Sequence, residues 1–555
     1  MPRKLNRVFD IFLSILSGAI LALPFNNPRL WILAWFAFIP LFLSLNNKTL
    51  KQSFLLSFAT GATFWAGSIF WLVNVTLVGT ILLILYLALY FGAFGLIIRP
   101  QTKRSQPYVF LFVPSVWVML EYARSHLLTG FPWSLLGYSQ YLNLPVIQIA
   151  DITGVWGVSF LVMFMNAAGV EIIHSLKARL NRRLKAAVIL VILIFSLVLS
   201  YGYFRLGVFN NPEKSRQLRI TLIQGDIPQE LKWEPGSREF VMERYLKLTS
   251  EALKDAPDLI VWPEAALPVV LGDEPVYYKR LLSYANTIAR PILFGAVTYS
   301  NGAYYNSALL LSGEGRLVDQ YDKVHLVPFG EYIPFRKAFT FLETIAPIGD
   351  ISRGTDYTIF DISTASRPRL ERRARNEAFP IDTGPALAAI PGRPDTPVMS
   401  SADSKQARVS GRVDLQHRFG VLICFEDVFP GLSRRFIKEG AGFLINITND
   451  AWFGKTSEAS QHMAASVFRA VENRINLVRA ANTGISGFID PRGKALSLVS
   501  DAAGNNIFIP GYLTQNIYLN AQPTFYGHYG DLLVILCLIC VVYILVLARK
   551  QKPKK

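Results

Sequence analysis

The chain has 555 residues, room for several domains, and 52% of them are hydrophobic against 17% charged, which excludes a purely soluble protein. The net charge of +17 would suit a nucleic-acid partner, but much of it lies in short segments between apolar runs. There it reads as topogenic charge facing anionic lipid, and no nucleic acid is expected.

Eight apolar runs read as membrane spans: 8–24, 30–45, 53–75, 77–98, 109–128, 155–173, 186–203 and 531–547. Several sit near the short end of the ~17–25 residues that cross a bilayer core. With the N-terminus inside, the cytoplasmic segments carry Arg3, Lys4 and Arg7; Lys48 and Lys51; Arg99, Lys103 and Arg104; and Lys177, Arg179, Arg182, Arg183 and Lys185; the basic tail 548–555 completes the set. The intervening outside loops carry few, as the positive-inside rule requires. Residues 1–206 are thus a transmembrane domain of seven spans that delivers the next region to the outside face, and the eighth span returns the tail. A cleaved signal peptide is the alternative for the first span. No small-residue cleavage site follows it, and the second span begins almost at once. The aromatic segment FPWSLLGYSQ (131–140) follows the fifth span on the outside, near headgroup level. Trp133 and Tyr138 suit that interface in any membrane protein, with a substrate role as the alternative.

From 216 to 520 the pattern changes to short β-branched runs punctuated by Gly, Pro and Asn. LRITLIQ, DLIVWP, PILFGAV, FGVLICF and GFLINIT read as strands, and 238–254 and 458–476 as helices. This is an α/β domain. It contains Glu264 in VWPEAALP, Lys323 in YDKVHLVPFGEYIP, and Cys424, which ends the strand-like run GVLICFED and is the one cysteine outside the C-terminal apolar segment. A thiol becomes a good nucleophile as a thiolate, so a carboxylate base and a cation are the helpers it needs. The alternative for each residue alone is bland: a buried small side chain for Cys424, a solvated charge for the others. Glu426 follows Phe425 and points away from the thiol in a strand or tight turn, which leaves a structural role as open as a chemical one. Trp233 and Trp452 face lipid or substrate, or pack in the core. Residues 363–417 break into Pro, Ala, Ser and Arg and read as a disordered insertion, or as a basic foot on anionic headgroups. Cys537 and Cys540 have CxxC spacing but lie inside ILCLICVV, where helix packing is the expected role. The histidines show no HExxH or clustered spacing, so no metal site is expected.

The three segments resemble, in order and wording, the Glu-Lys-Cys signatures of the nitrilase (carbon-nitrogen hydrolase) superfamily. The chain as a whole resembles its apolipoprotein N-acyltransferase branch, through FPWSLLGYSQ, QGDIPQELKW, WPEAALP, VPFGEYIPF, LICFED, NITNDAWFG and RAANTGISGFIDPRG. The resemblance implies a four-layer αββα sandwich outside the bacterial inner membrane, attached to a polytopic α-helical membrane domain, with both termini cytoplasmic. It implies that Cys424 attacks the sn-1 ester of a phospholipid, that Glu264 is the general base, and that Lys323 steadies the oxyanion together with the amide of Phe425. Glu331, in FGEYIP, corresponds to the superfamily's additional glutamate beside the lysine. The Phe425 position often carries Tyr in relatives, and the missing hydroxyl removes any hydrogen bond it would make. The implied acceptor is the N-terminal amine of a diacylglyceryl apolipoprotein, and no cofactor is implied. A membrane-anchored amidase would use the same three residues with water as acceptor. A transporter or scaffold bearing an inactive domain would call for intramembrane charges, of which the spans contain almost none.

Overall fold

The structure is a computed structural model, and it describes residues 2–102, 109–177, 181–208, 217–271, 275–328, 330–332, 351–366, 417–519 and 522–550. All but the edges of the predicted insertion 363–417, and the end of the basic tail, lie outside the described residues.

The eight predicted spans all fall on helical segments. Four of them coincide with helices long and apolar enough to cross a membrane: Arg7–Asn26, Leu77–Ile98, Val155–Leu176 and Leu184–Val208. The spans predicted at 53–75, 109–128 and 531–547 fall on the helices Leu50–Ser68, Val109–His126 and Leu532–Lys550. The span predicted at 30–45 is two pieces, a 3-10 helix Pro28–Trp35 and an α-helix Ile39–Ser44. Pro40 accounts for the new start, since proline suits a first turn and not a helix interior. The backbone groups freed by the break are satisfied by one buried side chain. Asn166 accepts from the Phe38 amide at 2.9 Å and donates to the Ala34 carbonyl at 2.9 Å, as backbone at membrane depth requires. Small residues let the first helices touch: a Cβ on Gly18 would lie 2.4 Å from the Thr60 carbonyl oxygen, and one on Gly95 2.2 Å from Ser57 Oγ. The outward faces are apolar, with Leu82, Leu85, Leu89, Ile192 and Leu197 exposed.

The second unit has two sheets. The first contains β1 (Gln217–Gln224), β2 (Leu259–Val261), β3 (Val270–Leu271), β4 (Ile292–Ser300), β5 (Ala303–Leu311), β6 (Leu317–Asp322) and β13 (Gly511–Tyr518), in the order β13-β1-β2-β4-β5-β6 with β3 beside β4. The second contains β7 (Ile359–Asp361), β8 (Arg418–Ile423), β9 (Phe443–Thr448), β10 (Leu477–Ala481), β11 (Gly487–Ile489) and β12 (Ala495–Leu498), in the order β12-β11-β10-β9-β8-β7. The central pairs β1/β2, β2/β4, β8/β9 and β9/β10 are parallel, as is β3/β4, and the outer pairs are antiparallel. Alternation along each strand makes the layers. Leu259, Val261, Leu293, Ala308 and Leu310 face the core shared with the second sheet, whereas Ile260, Ile292, Phe294, Leu309 and Leu311 face a separate core under the helices Arg238–Ala252 and Pro275–Ile288. With the helices Pro430–Lys438 and Glu458–Asn473 on the second sheet's outer face, this is an αββα sandwich of the nitrilase type.

The helix Glu458–Asn473 seats the sandwich on the membrane unit. Its buried Gln461 donates to the Phe25 and Ser68 carbonyls and accepts from Trp133 Nε1 at 2.6 Å. At its end Arg474, with φ of 50°, turns its guanidinium onto Asp151 Oδ2 at 2.8 Å and Gln148.

Candidate active site

Parallel strands of a twisted sheet deliver residues from their carboxyl ends to one edge, and three loops at such ends build the site. The first follows β2. Glu264 lies in the turn Trp262–Ala265, whose last residue has φ of 46°, and is buried. This turn lies against Gly295 of β4, where a Cβ would come 2.5 Å from Ala265 N and 2.6 Å from Glu264 Cα. A side chain there would push the carboxylate aside.

Lys323 leaves the end of β6, its amide donating to the Asn306 carbonyl at 2.9 Å. Its ammonium is buried between two carboxylates, 2.9 Å from Glu331 Oε1 and 3.6 Å from Glu264 Oε1. Burial alone would drive that ammonium toward neutrality, but Glu331 and Glu264 outweigh it and hold the amine charged. Asn306, on β5, bridges the same two carboxylates, donating to Glu264 Oε1 at 2.7 Å and Glu331 Oε1 at 2.9 Å. Glu331 is fixed in turn through Oε2, which accepts from the Val327 amide at 2.8 Å.

Cys424 follows β8. The strand stops at Ile423, two residues short of the end of the predicted run FGVLICF, and Cys424 enters a 3-10 turn with φ of 53°. A left-handed conformation is costly for a residue with a Cβ, and such strain persists where surrounding bonds over-determine it. Here Glu426 supplies them. Its carboxylate is fully buried and accepts from the Ile423 amide, the Val324 and His325 amides and the Tyr321 hydroxyl, at 2.8 to 3.0 Å. It ties the cysteine turn to the lysine loop, so of the two roles left open from sequence the geometry favours the structural one. Burial pushes this carboxyl up to about 7 against the pull of those donors. The half-buried Cys424 thiol is pushed up to about 12, chiefly by desolvation and next by the Glu264 carboxylate, while Lys323 and His462 oppose the rise. The resting sulfur is therefore a thiol, and its reactivity depends on a base that removes the proton during attack.

The structure thus brings Glu264, Lys323, Glu331 and Cys424 into one cluster. Phe425 is buried, its ring stacked on Trp133 with centroids 6.1 Å apart and edge-on to Phe429. Trp133 and Tyr138 do not face outward. Both are interior, because each finds a partner for its polar end: Gln461 Oε1 for the indole and the Val428 carbonyl, at 3.4 Å, for the phenol. Trp233 and Trp452 are 40% and 53% exposed, which removes core packing as their role. Cys537 is buried in the helix Leu532–Lys550, and Cys540 is partly buried there.

Three participants in this cluster carried no sequence signal of their own. Asn306 is one. Lys232 is another, buried with its ammonium 3.0 Å from the Glu264 carbonyl oxygen and lowered to about 8 by burial, against the pull of Glu264. It lies within the QELKW segment, so the signal was the motif and not the residue. His462 is the third, beneath Cys424. Asp450, Glu458 and His462 have ligand atoms within 4.8 Å of one another, a spacing a metal ion could use. Arg479, however, already donates to Asp450 Oδ2 at 3.0 Å, and His462 Nε2 is directed at Asp427 at 2.9 Å. The donors are compensated within the protein and do not fit a cation.

Residues 17–168 match the family model of the apolipoprotein N-acyltransferase N-terminal domain, and 219–509 that of carbon-nitrogen hydrolases. An apolipoprotein N-acyltransferase of Geobacter metallireducens is 36% identical over 571 aligned positions, covering 100% of this chain and 96% of that protein. The chain belongs to the apolipoprotein N-acyltransferase family. A Chlorobaculum tepidum protein of the same name is 29% identical, covering 100% of this chain and 98% of its own. The crystal structure of Saccharomyces cerevisiae Nit3, a member of the nitrilase superfamily, aligns with 55% of this chain and 90% of its own at 16% identity and a TM-score of 0.34. Membership makes the protein a membrane-associated acyltransferase with a nitrilase-type domain.

Proposed function

We propose that this acyltransferase moves a fatty acyl chain from the sn-1 position of a phospholipid to the N-terminal amine of an S-diacylglyceryl-cysteine on an apolipoprotein, through a thioester on Cys424. Glu264 takes the thiol proton as the sulfur adds to the ester carbonyl carbon. Lys323 and the Phe425 amide steady the resulting oxyanion. Collapse breaks the ester C–O bond, and the lysophospholipid oxygen leaves with the proton held by Glu264. The neutral acceptor amine then adds to the thioester, Glu264 takes its proton, and cleavage of the C–S bond returns that proton to sulfur. Bond and proton counts close without a co-reactant.

The observation that carries this reading is the convergence of a half-buried thiol, a buried carboxylate and a buried ammonium on one site. The helix behind that site, Glu458–Asn473, is bonded to the membrane helices. That placement suits two lipid-anchored substrates. In the same reading the sandwich lies on the periplasmic face of the inner membrane, with both termini in the cytoplasm.

Incubation with phospholipid alone is expected to give a long-lived, hydroxylamine-labile acyl adduct that peptide mapping assigns to Cys424. A diacylated lipopeptide with a free amine should discharge it quickly, and an N-acetylated one should not. Oriented groups reach effective molarities of ~10⁵ M or more, enough to outcompete ~55 M water at a shielded site. Acylation that persists in Cys424→Ala would remove the thioester, and release of free fatty acid at a rate the lipopeptide leaves unchanged would identify a hydrolase.

A further inference from the structure

Beneath the nucleophile lies a buried charge network that the proposed chemistry does not use. His462 is 1% exposed. From its own helix it faces Glu458, with Nδ1 3.4 Å from Oε1. From the turn after β9 it faces Asp450, with Nδ1 3.2 Å from Oδ1. From the turn after β8 it faces Asp427, with Nε2 2.9 Å from Oδ1, and the Cys424 carbonyl oxygen, 3.3 Å from Nε2. Trp133 packs beside the ring at 5.3 Å. Arg479 of β10 donates to Asp427 Oδ2 at 3.3 Å and Asp450 Oδ2 at 3.0 Å, and with His462 it holds the Asp450 carboxyl well below the usual carboxylate range.

Each ring nitrogen therefore points at an anionic acceptor, and both can be satisfied when both carry protons. His462 is an imidazolium. Burial and Arg479 favour the neutral ring, but Asp427 and Asp450 outweigh them and raise its affinity for the proton well above the ordinary value.

The Cys424 carbonyl also accepts from Asn446 Nδ2 at 3.1 Å. Two donors, the Asn446 amide and the charged Nε2–H that His462 shares with Asp427, thus draw electron density toward this oxygen. The same peptide group carries the Phe425 N–H. Polarising a carbonyl makes the amide hydrogen across the peptide bond more positive and a stronger donor, since chained hydrogen bonds reinforce one another in a low-dielectric interior.

We propose that His462 is a positioning residue: with Asn446 it fixes and polarises the Cys424–Phe425 peptide, so that the Phe425 amide binds the oxyanion of the acyl-transfer intermediates. This rests on the reading of Cys424 as the acyl carrier. A purely structural role would affect every reaction of the sulfur alike. An oxyanion role singles out reactions that pass through a tetrahedral intermediate, which acylation by a phospholipid does and alkylation by iodoacetamide does not.

The test uses full-length protein in mixed micelles with phospholipid, and the readout is the ratio of the acylation rate to the iodoacetamide alkylation rate at Cys424. Any change in thiolate supply enters both rates and cancels. In His462→Gln, which keeps a neutral donor and removes the charge, the ratio should fall at least tenfold, a part of the ~10²–10³ that loss of a whole oxyanion donor costs. A smaller fall overturns the proposal. If His462→Gln shows no melting transition, Asn446→Ser removes the other donor to the same carbonyl and is judged by the same ratio. Absence of an adduct in wild-type protein that still alkylates at Cys424 would fault the thioester reading instead.

Discussion

The side chain that organises the reactive cluster is neutral. Asn306 spends both N–H groups on Glu264 and Glu331, so the two carboxylates face each other across an amide and an ammonium. Asn306→Ala leaves Lys323 as the shared partner, and a buried acceptor that loses its donor costs ~1–3 kcal/mol. Acylation should fall ~10–100-fold, while alkylation shows the thiol still present; an unchanged acylation rate would mean that Lys323 alone orients the base. Lys232 makes a second, pH-dependent case. It titrates near 8 in the folded protein against 10.5 for the unperturbed side chain. Between those values the unfolded chain binds the extra proton, so stability rises with pH across that window by up to about 3 kcal/mol. Lys232→Met has no such proton to lose. The melting temperature of the variant minus that of wild type should therefore shrink between pH 7.5 and 10, and a constant gap would show that burial does not disfavour the charge.

At the scale of elements, what was legible in sequence followed from burial on both faces. β2, β4, β8 and β9 lie in the middle of their sheets and read as apolar runs, whereas β5, β6 and β13 carry Tyr, Asn, Gln and Asp on half-exposed or site-facing positions and gave no run to recognise. The helix predicted to end at 476 ends at Asn473, because Arg474 adopts a left-handed cap to reach Asp151, a contact 323 positions away. Long-range polar contacts of this kind also hid Asn306, His462 and Glu426's ties: an isolated polar residue looks the same in sequence whether it is solvated or buried. The motifs that announced Glu264, Lys323 and Cys424 did so together with the turns that hold them. Gly295 shows how strictly one of those turns is built. Gly295→Ala places a methyl within 2.7 Å of three backbone atoms of Pro263, Glu264 and Ala265. Overpacking of that kind costs ~1–3 kcal/mol. The variant should melt lower and lose acyl transfer well beyond what the shift in melting explains, because the base itself is displaced. Full activity in a folded Gly295→Ala protein would show that the loop can retreat without moving the carboxylate.

At the scale of the whole molecule, orientation is the property on which the proposed substrates depend, and two independent features bear on it. One is charge: Lys48 just precedes the helix Leu50–Ser68, Lys51 lies in its first turn and Lys185 near the start of the helix Asn181–Val208, with the remaining basic clusters at corresponding places in the sequence. The other is the seat of the sandwich. Gln461 holds the end of the first helix at Phe25 and the end of the helix Leu50–Ser68 at Ser68, and Arg474 holds the turn at Asp151 before the helix Val155–Lys177. All three contacts lie at the ends opposite Lys48, Lys51 and Lys185. If these basic helix ends face the cytoplasm, the site faces outward, where the proposed acceptor would display its lipid-modified amine. Fusions to a reporter active in the cytoplasm alone should therefore be silent when joined after Gln224 and active when joined after Lys555. Fusions to a reporter active outside should give the complementary result. The reverse pattern would turn the catalytic unit toward the cytoplasm and remove the apolipoprotein acceptor, while leaving the acyl-enzyme chemistry of Cys424 to be judged by the adduct itself.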